Sequence, residues 1–223
     1  MGSTQTLRRL ALESVAIVGS ILLAFAIDAW WAKSEEAVKR DALMRNLKAE
    51  ITANILALER ITQAQTLHAQ KVLRYVRILN GAEPSPPVDE LDTLKYAIII
   101  HPTYHPSFGV LDVLIQSGSL ILLQNPELQA ELADLKSFVS YYTDNQEALV
   151  TLTASDAARY NTGSYIYPFR LPEREDGSTS RGRDELETAM KVAQTVYGFY
   201  VQTLEVQGQE VLAKFREVYD FIP

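Results

Sequence analysis

The stretch ILLAFAIDAWWAKSEE, Ile21 to Glu36, joins an apolar run to a charged one with no helix breaker between them. A carboxylate, Asp28, and a tryptophan pair, Trp30 and Trp31, stand at the join. Extended backwards, Leu10 to Trp31 makes 22 residues. As a helix that is about 33 Å, against a hydrocarbon core of about 30 Å. The uncharged part, Ser14 to Ile27, is 14 residues, a length shared with buried core helices and signal-peptide apolar regions. Arg8, Arg9 and Ala24-Phe25-Ala26 imitate a signal peptide and its cleavage site. Against cleavage, the apolar pattern continues straight into a long helical one. Against a buried helix, the rest of the chain reads as too elongated to cover an apolar cylinder. The expectation is a short basic N-terminus at 1–9, a transmembrane anchor at 10–31 and an extramembrane domain at 32–223.

The flanks suit an anchor. Arg9 and Glu13 are four apart on one helix face and can snorkel to one interface. Trp30 and Trp31 stand where an aromatic belt is expected, with Asp28 just under one turn inside them. Arg8, Arg9, Glu13, Asp28, Trp30 and Trp31 are therefore the expected membrane-interface residues. Glu13 and Asp28 fall within about 60° of each other around the helix. Ala16, Ser20 and Ala24 recur every four positions and lead to Asp28, a small, polar-tipped stripe that favours close helix–helix contact.

Two charge signals bear on orientation and oppose each other. Lys33, Lys39, Arg40, Arg45 and Lys48 outnumber Arg8 and Arg9, which places the domain in the cytoplasm by a literal positive-inside count. These five are interleaved with Glu35, Glu36 and Asp41, and a short basic N-terminus suits the opposite placement. The reading leans to a bacterial inner-membrane protein with a periplasmic domain.

Thr4 to Asn80 contains no proline and one glycine, Gly19. Met44, Leu47, Ile51, Asn54, Leu58, Ile61, Gln65, His68, Val72, Tyr75 and Leu79 alternate by three and four, a heptad seam with polar members Asn54, Gln65 and His68. One helix, or two nearly collinear ones dividing at Ser34, is expected to end at Asn80-Gly81. A shorter helix is expected over 88–100. HPTYHP, His101 to Pro106, reads as a turn, Ser107 to Gln116 as a short helix, and Leu120 to Leu123 as a brief apolar segment. Asn125-Pro126-Glu127 starts a helix to about Asn161, with seam residues Leu128, Leu132, Leu135, Val139, Tyr142, Gln146, Leu149 and Thr153. A loop covers about 163–183, its residues Tyr165, Tyr167 and Phe169 forming a candidate docking segment. A last helix opens at Asp184, with seam residues Leu186, Met190, Ala193, Tyr197, Tyr200, Leu204, Gln207, Val211 and Val218. The expected fold is all-α: a transmembrane helix continuing into an elongated antiparallel bundle of three long and one or two short helices.

The chain has 223 residues and 47 % apolar composition, and it carries a net charge of −7 that disfavours nonspecific nucleic-acid binding. It has no cysteine, which excludes disulfides and thiolate chemistry. His101 and His105 are four apart, but Pro102 breaks the helix that would align them, so turn or packing roles are the expectation. His68 at a heptad position reads as a satisfied core group, with a pH-sensitive register element as its alternative. No nucleotide, zinc-protease, serine-hydrolase or calcium-loop pattern is present, and no cofactor, metal or small-molecule substrate is implied.

Two stretches, ESVAIVGSILLAFAIDAWW with the helix RDALMRNLKAEITANILAL and then SFGVLDVLIQSGSLILLQNPELQAELADL, resemble a large family of uncharacterised single-span bacterial membrane proteins known as a domain of unknown function. That family shows an acidic residue, an I-G-I-L-I-A-like span, Asn or Asp before Trp, then Ser-Gly-x-Leu and Asn-x-x-Leu. Glu13, Gly19, Asp28, Trp30, Ser117, Gly118, Leu120, Asn125 and Leu128 carry the resemblance here. It covers roughly residues 10–60 and 105–140 and implies a topology without an activity. The expected function is a membrane-anchored structural or interaction protein. It would be an accessory or scaffold subunit of a larger respiratory or photosynthetic complex, or a homo-oligomer, its partners being the bilayer and other subunits or itself. A membrane sensor is the alternative, separated by a ligand cavity among the helices; an enzyme is the least favoured class.

Overall fold

The computed structural model describes residues 3–161 and 180–223. Every regular element among them is helical. Helix α1 runs unbroken from Ser3 to Leu79, 77 residues or about 115 Å. It passes through Ser34 without a break, as a stretch free of proline permits. Its stop is chemical: Gly81 takes the left-handed conformation (φ 78°), and the Asn80 Oδ1 accepts the Ala82 N–H at 3.0 Å.

Helix α2 spans Val88–Tyr96, shorter than the 88–100 reading. Single turns carry the chain on through Ile100, because Pro102 disfavours helix immediately upstream. Helix α3 is Gly109–Gln116, and a 3₁₀ turn, Ser119–Leu123, follows. α3 starts two residues later than the pattern suggests. Its first amides are claimed by another helix: Glu50 Oε2 accepts the Val110 N–H (2.7 Å) and Oε1 the Leu111 N–H (3.1 Å). Helix α4 covers Pro126–Asn161, with the Asn125 side chain accepting the Leu128 N–H at 3.0 Å.

Helix α5 spans Ser180–Phe199, a π turn covers Tyr200–Leu204, and α6 covers Glu205–Phe221. The π turn departs from a uniform heptad. Val196, Tyr200, Leu204 and Gly208 are all buried, three successive steps of four. Each step overshoots an α-helical turn by about 40°, and a wider turn absorbs the drift. As a result Val196, Gly208, Leu212 and Phe215 are buried, while the seam candidates Tyr197 and Gln207 are half-buried.

One apolar core joins α1 from Leu47 onward with α2, α3, α4, α5 and α6. The α4 seam from Leu128 to Thr153 is buried at every position. Phe108 stacks on Phe215 with centroids 6.3 Å apart. Lys48 donates from Nζ to the Ile222 carbonyl at 2.7 Å and lies over the Tyr219 ring, tying the end of α6 to α1. Arg216 pairs with Glu59, Lys214 with Glu131 and Glu217, and Lys136 with Asp112.

Candidate functional site

Two features stand out. The first is the N-terminal part of α1, the one described helix long and apolar enough to cross a membrane by length and composition, with none of its most apolar window buried. Ile17, Ile21, Leu22, Leu23, Phe25 and Ile27 are each more than half exposed. Ser20, Ala24 and Asp28 lie exposed along it at four-residue intervals. The Ser20 hydroxyl donates to the Ile17 carbonyl (2.8 Å), so its own helix satisfies it. Trp30 and Trp31 are exposed and meet edge to face, centroids 6.5 Å apart. Glu13 is exposed, and Arg8, Arg9 and Ala16 fall within α1. Tyr165, Tyr167 and Phe169 lie outside the described residues.

The second feature is a polar layer inside the core, built by the polar seam positions. A heptad reading assigns such residues to helix–helix register. Here they satisfy the backbone of the irregular segment 101–107. Asn54, 2 % exposed, donates to the Ser107 carbonyl (2.7 Å). Its Oδ1 accepts the Ser107 N–H (2.9 Å) and the Tyr104 hydroxyl (2.8 Å). Gln65 donates to the Pro102 carbonyl (3.0 Å) and accepts the Tyr142 hydroxyl (2.9 Å). Gln146 Oε1 accepts the Tyr104 N–H at 2.7 Å. Pro102 and Pro106 lack an N–H, which reduces the donors that this half-buried loop must satisfy.

Next to this layer, His68, His101 and Tyr200 form a ring cluster with centroids 5.4 to 5.9 Å apart. Thr153 spends its hydroxyl proton on the Leu149 carbonyl (2.9 Å), so it accepts from His101 Nε2–H, also 2.9 Å away. His101 Nδ1 then accepts the Tyr200 hydroxyl at 2.9 Å. His68 Nε2 donates to the Ala97 carbonyl at 2.6 Å. Burial, reinforced by His68, holds His101 well below the ordinary imidazole value, at about 4. Burial also lowers His68, and it pushes Tyr142 up to about 12. The layer is neutral at physiological pH. His105 stands apart, exposed and bonded to Thr103. Among the described residues no three metal-ligating side chains converge.

A groove of about 280 Å³ opens between α1 and α6, with Tyr200 of the π turn at one end, lined by Glu59, Thr62, Gln65, Thr66 and Arg216 among others. The sequence offered no sign of it, because it depends on which residues of α6 face α1 beyond the π turn.

Two distant segments meet in space: Arg40 Nη1, nine residues beyond Trp31, donates to Gln124 Oε1 at 2.9 Å. No family model, curated protein or solved structure matches the chain.

Proposed function

We propose that the chain is a single-pass membrane-anchored scaffold, a helical body held at the bilayer by α1 to bind other membrane subunits or a second copy of itself. The carrying observation is that the apolar run of α1 has no cover from the described chain, yet continues as the same helix into the core. Exposed Ile, Leu and Phe side chains at this density need a non-aqueous surrounding. The body is an antiparallel arrangement of α1 and α4 against α5 and α6. In support, Lys48, Glu59 and Thr62 meet Ile222, Arg216 and Gly208, partners in reverse order.

Alkaline extraction of membranes tests the anchor: the chain stays in the membrane fraction, and release into the supernatant overturns the reading. Native mass in mild detergent tests the scaffold role: the particle exceeds the 25.0 kDa chain, and a bare monomer overturns it. A second reading, a sensor that passes a ligand signal along α1, is favoured by the groove at the π turn, since such turns cluster at functional sites.

A further inference from the structure

The 3₁₀ turn Ser119–Leu123 presents an apolar side chain to the outside. Ile121 is 74 % exposed, more than Phe25 or Trp31 in the apolar run of α1, each at 67 %. The turn is held at both ends. Gly118 precedes it at φ 67°, and Gln124 follows in the left-handed region (φ 52°), rare for a residue with a Cβ. Gln124 is fastened to α1 by Arg40, and Asn125 is committed to the start of α4. An isoleucine held outward on so tightly fixed a turn is built in by the fold.

Its place in the fold identifies what it meets. The contact that places the turn on α1 is Arg40–Gln124, nine residues or about 14 Å beyond Trp31, and a long side chain on a helix extends back towards its N-terminus. The headgroup region extends about 5–8 Å beyond the hydrocarbon on each side. A tilt of the span towards the side that carries the turn brings it closer still. The turn is also tethered to the anchor, so a small apolar surface is enough to keep it engaged.

We infer that the Ser119–Leu123 turn is a second membrane contact. Ile121, flanked by half-buried Leu120 and Leu122, seats at the boundary between headgroups and acyl chains of the bilayer that α1 crosses. This rests on the anchor reading above. It makes the body lean on the membrane instead of standing clear on a stalk.

The chain has no native cysteine, so single labels report single sites. The full chain, as Ile121→Cys, Ala26→Cys or Val150→Cys, is labelled with an environment-sensitive fluorophore. Each variant is reconstituted into phosphatidylcholine vesicles carrying a nitroxide either near the headgroup end or near the methyl end of the acyl chain. The label at 26 is quenched, and the label at 150, on α4, is not. The label at 121 is quenched roughly twofold more by the shallow nitroxide than by the deep one, as an interfacial depth requires. An unquenched label at 121 with a quenched label at 26 overturns the contact and leaves the anchor standing. A blue-shifted but unquenched label at 121 means the turn packs on protein, a second copy included, and also overturns it. An unquenched label at 26 removes the anchor and the contact together.

Discussion

His101 and Tyr200, 99 residues apart, are joined by a hydrogen bond of 2.9 Å from the tyrosine hydroxyl to the Nδ1 of the imidazole. The bond closes the irregular 101–107 segment against the π turn between α5 and α6. It requires a neutral imidazole, and burial supplies one by holding His101 near 4. An unfolded histidine titrates near 6.5. The folded value is depressed, so the stabilisation is complete above about pH 6.5 and is lost as pH falls towards 4. Urea midpoints in detergent should fall between pH 7.5 and 5.5, and His101→Gln should flatten that slope. An unchanged slope in the variant would assign the pH dependence elsewhere.

Asn54→Ala leaves the Ser107 amide and the Tyr104 hydroxyl without their shared acceptor. The Tyr104 hydroxyl is buried and the Ser107 amide only partly so, and stripping both of their acceptor costs about 1–3 kcal/mol. Equilibrium denaturation should show a loss of that size. Loss below about 0.5 kcal/mol, the range of ordinary surface substitutions, would mean the loop does not depend on this side chain.

Gly208→Ala should destabilise even though alanine gains about 1 kcal/mol of helix propensity. An added Cβ would stand 2.8 Å from the Thr62 Cγ2 and 3.4 Å from the Tyr142 hydroxyl. Thr62 is stiff at χ1, and its hydroxyl donates to the backbone of its own helix. Overpacking of this kind costs about 1–3 kcal/mol. Thr62→Ser removes the clashing methyl, so the double variant should recover much of the loss. A double-mutant cycle in thermal melts decides it.

Glu50→Ala removes both acceptors from the first turn of α3. The expected loss is about 1–2 kcal/mol, that of a lost helix cap. Hydrogen exchange at Val110 and Leu111 should rise well above that of the α4 seam. Equal protection in variant and wild type would count against the cap.

Helix existence and most ends were readable in the chain because their causes are local. The run without proline from Thr4 to Asn80, the Asn80-Gly81 stop and the Asn125 cap act within a few residues of themselves. Periodicity likewise marked the buried faces of α1 and α4 and the apolar run that ends at Asp28 and the tryptophans. The start of α3 was misplaced because its acceptor, Glu50, comes from a distant helix. The π turn was missed because steps of four look like ordinary seam positions until the partner surface is known. For Asn54, Gln65 and His68 the pattern indicated burial and polarity but not their partners. Hydrogen bonds across 29 to 77 residues of sequence are set by which backbone and hydroxyl groups the packing brings beside them. The same holds for Ile121: one apolar residue in a short run carries no address. Its turn is placed beside α1 by a tertiary contact, Arg40 to Gln124, that no local pattern announces.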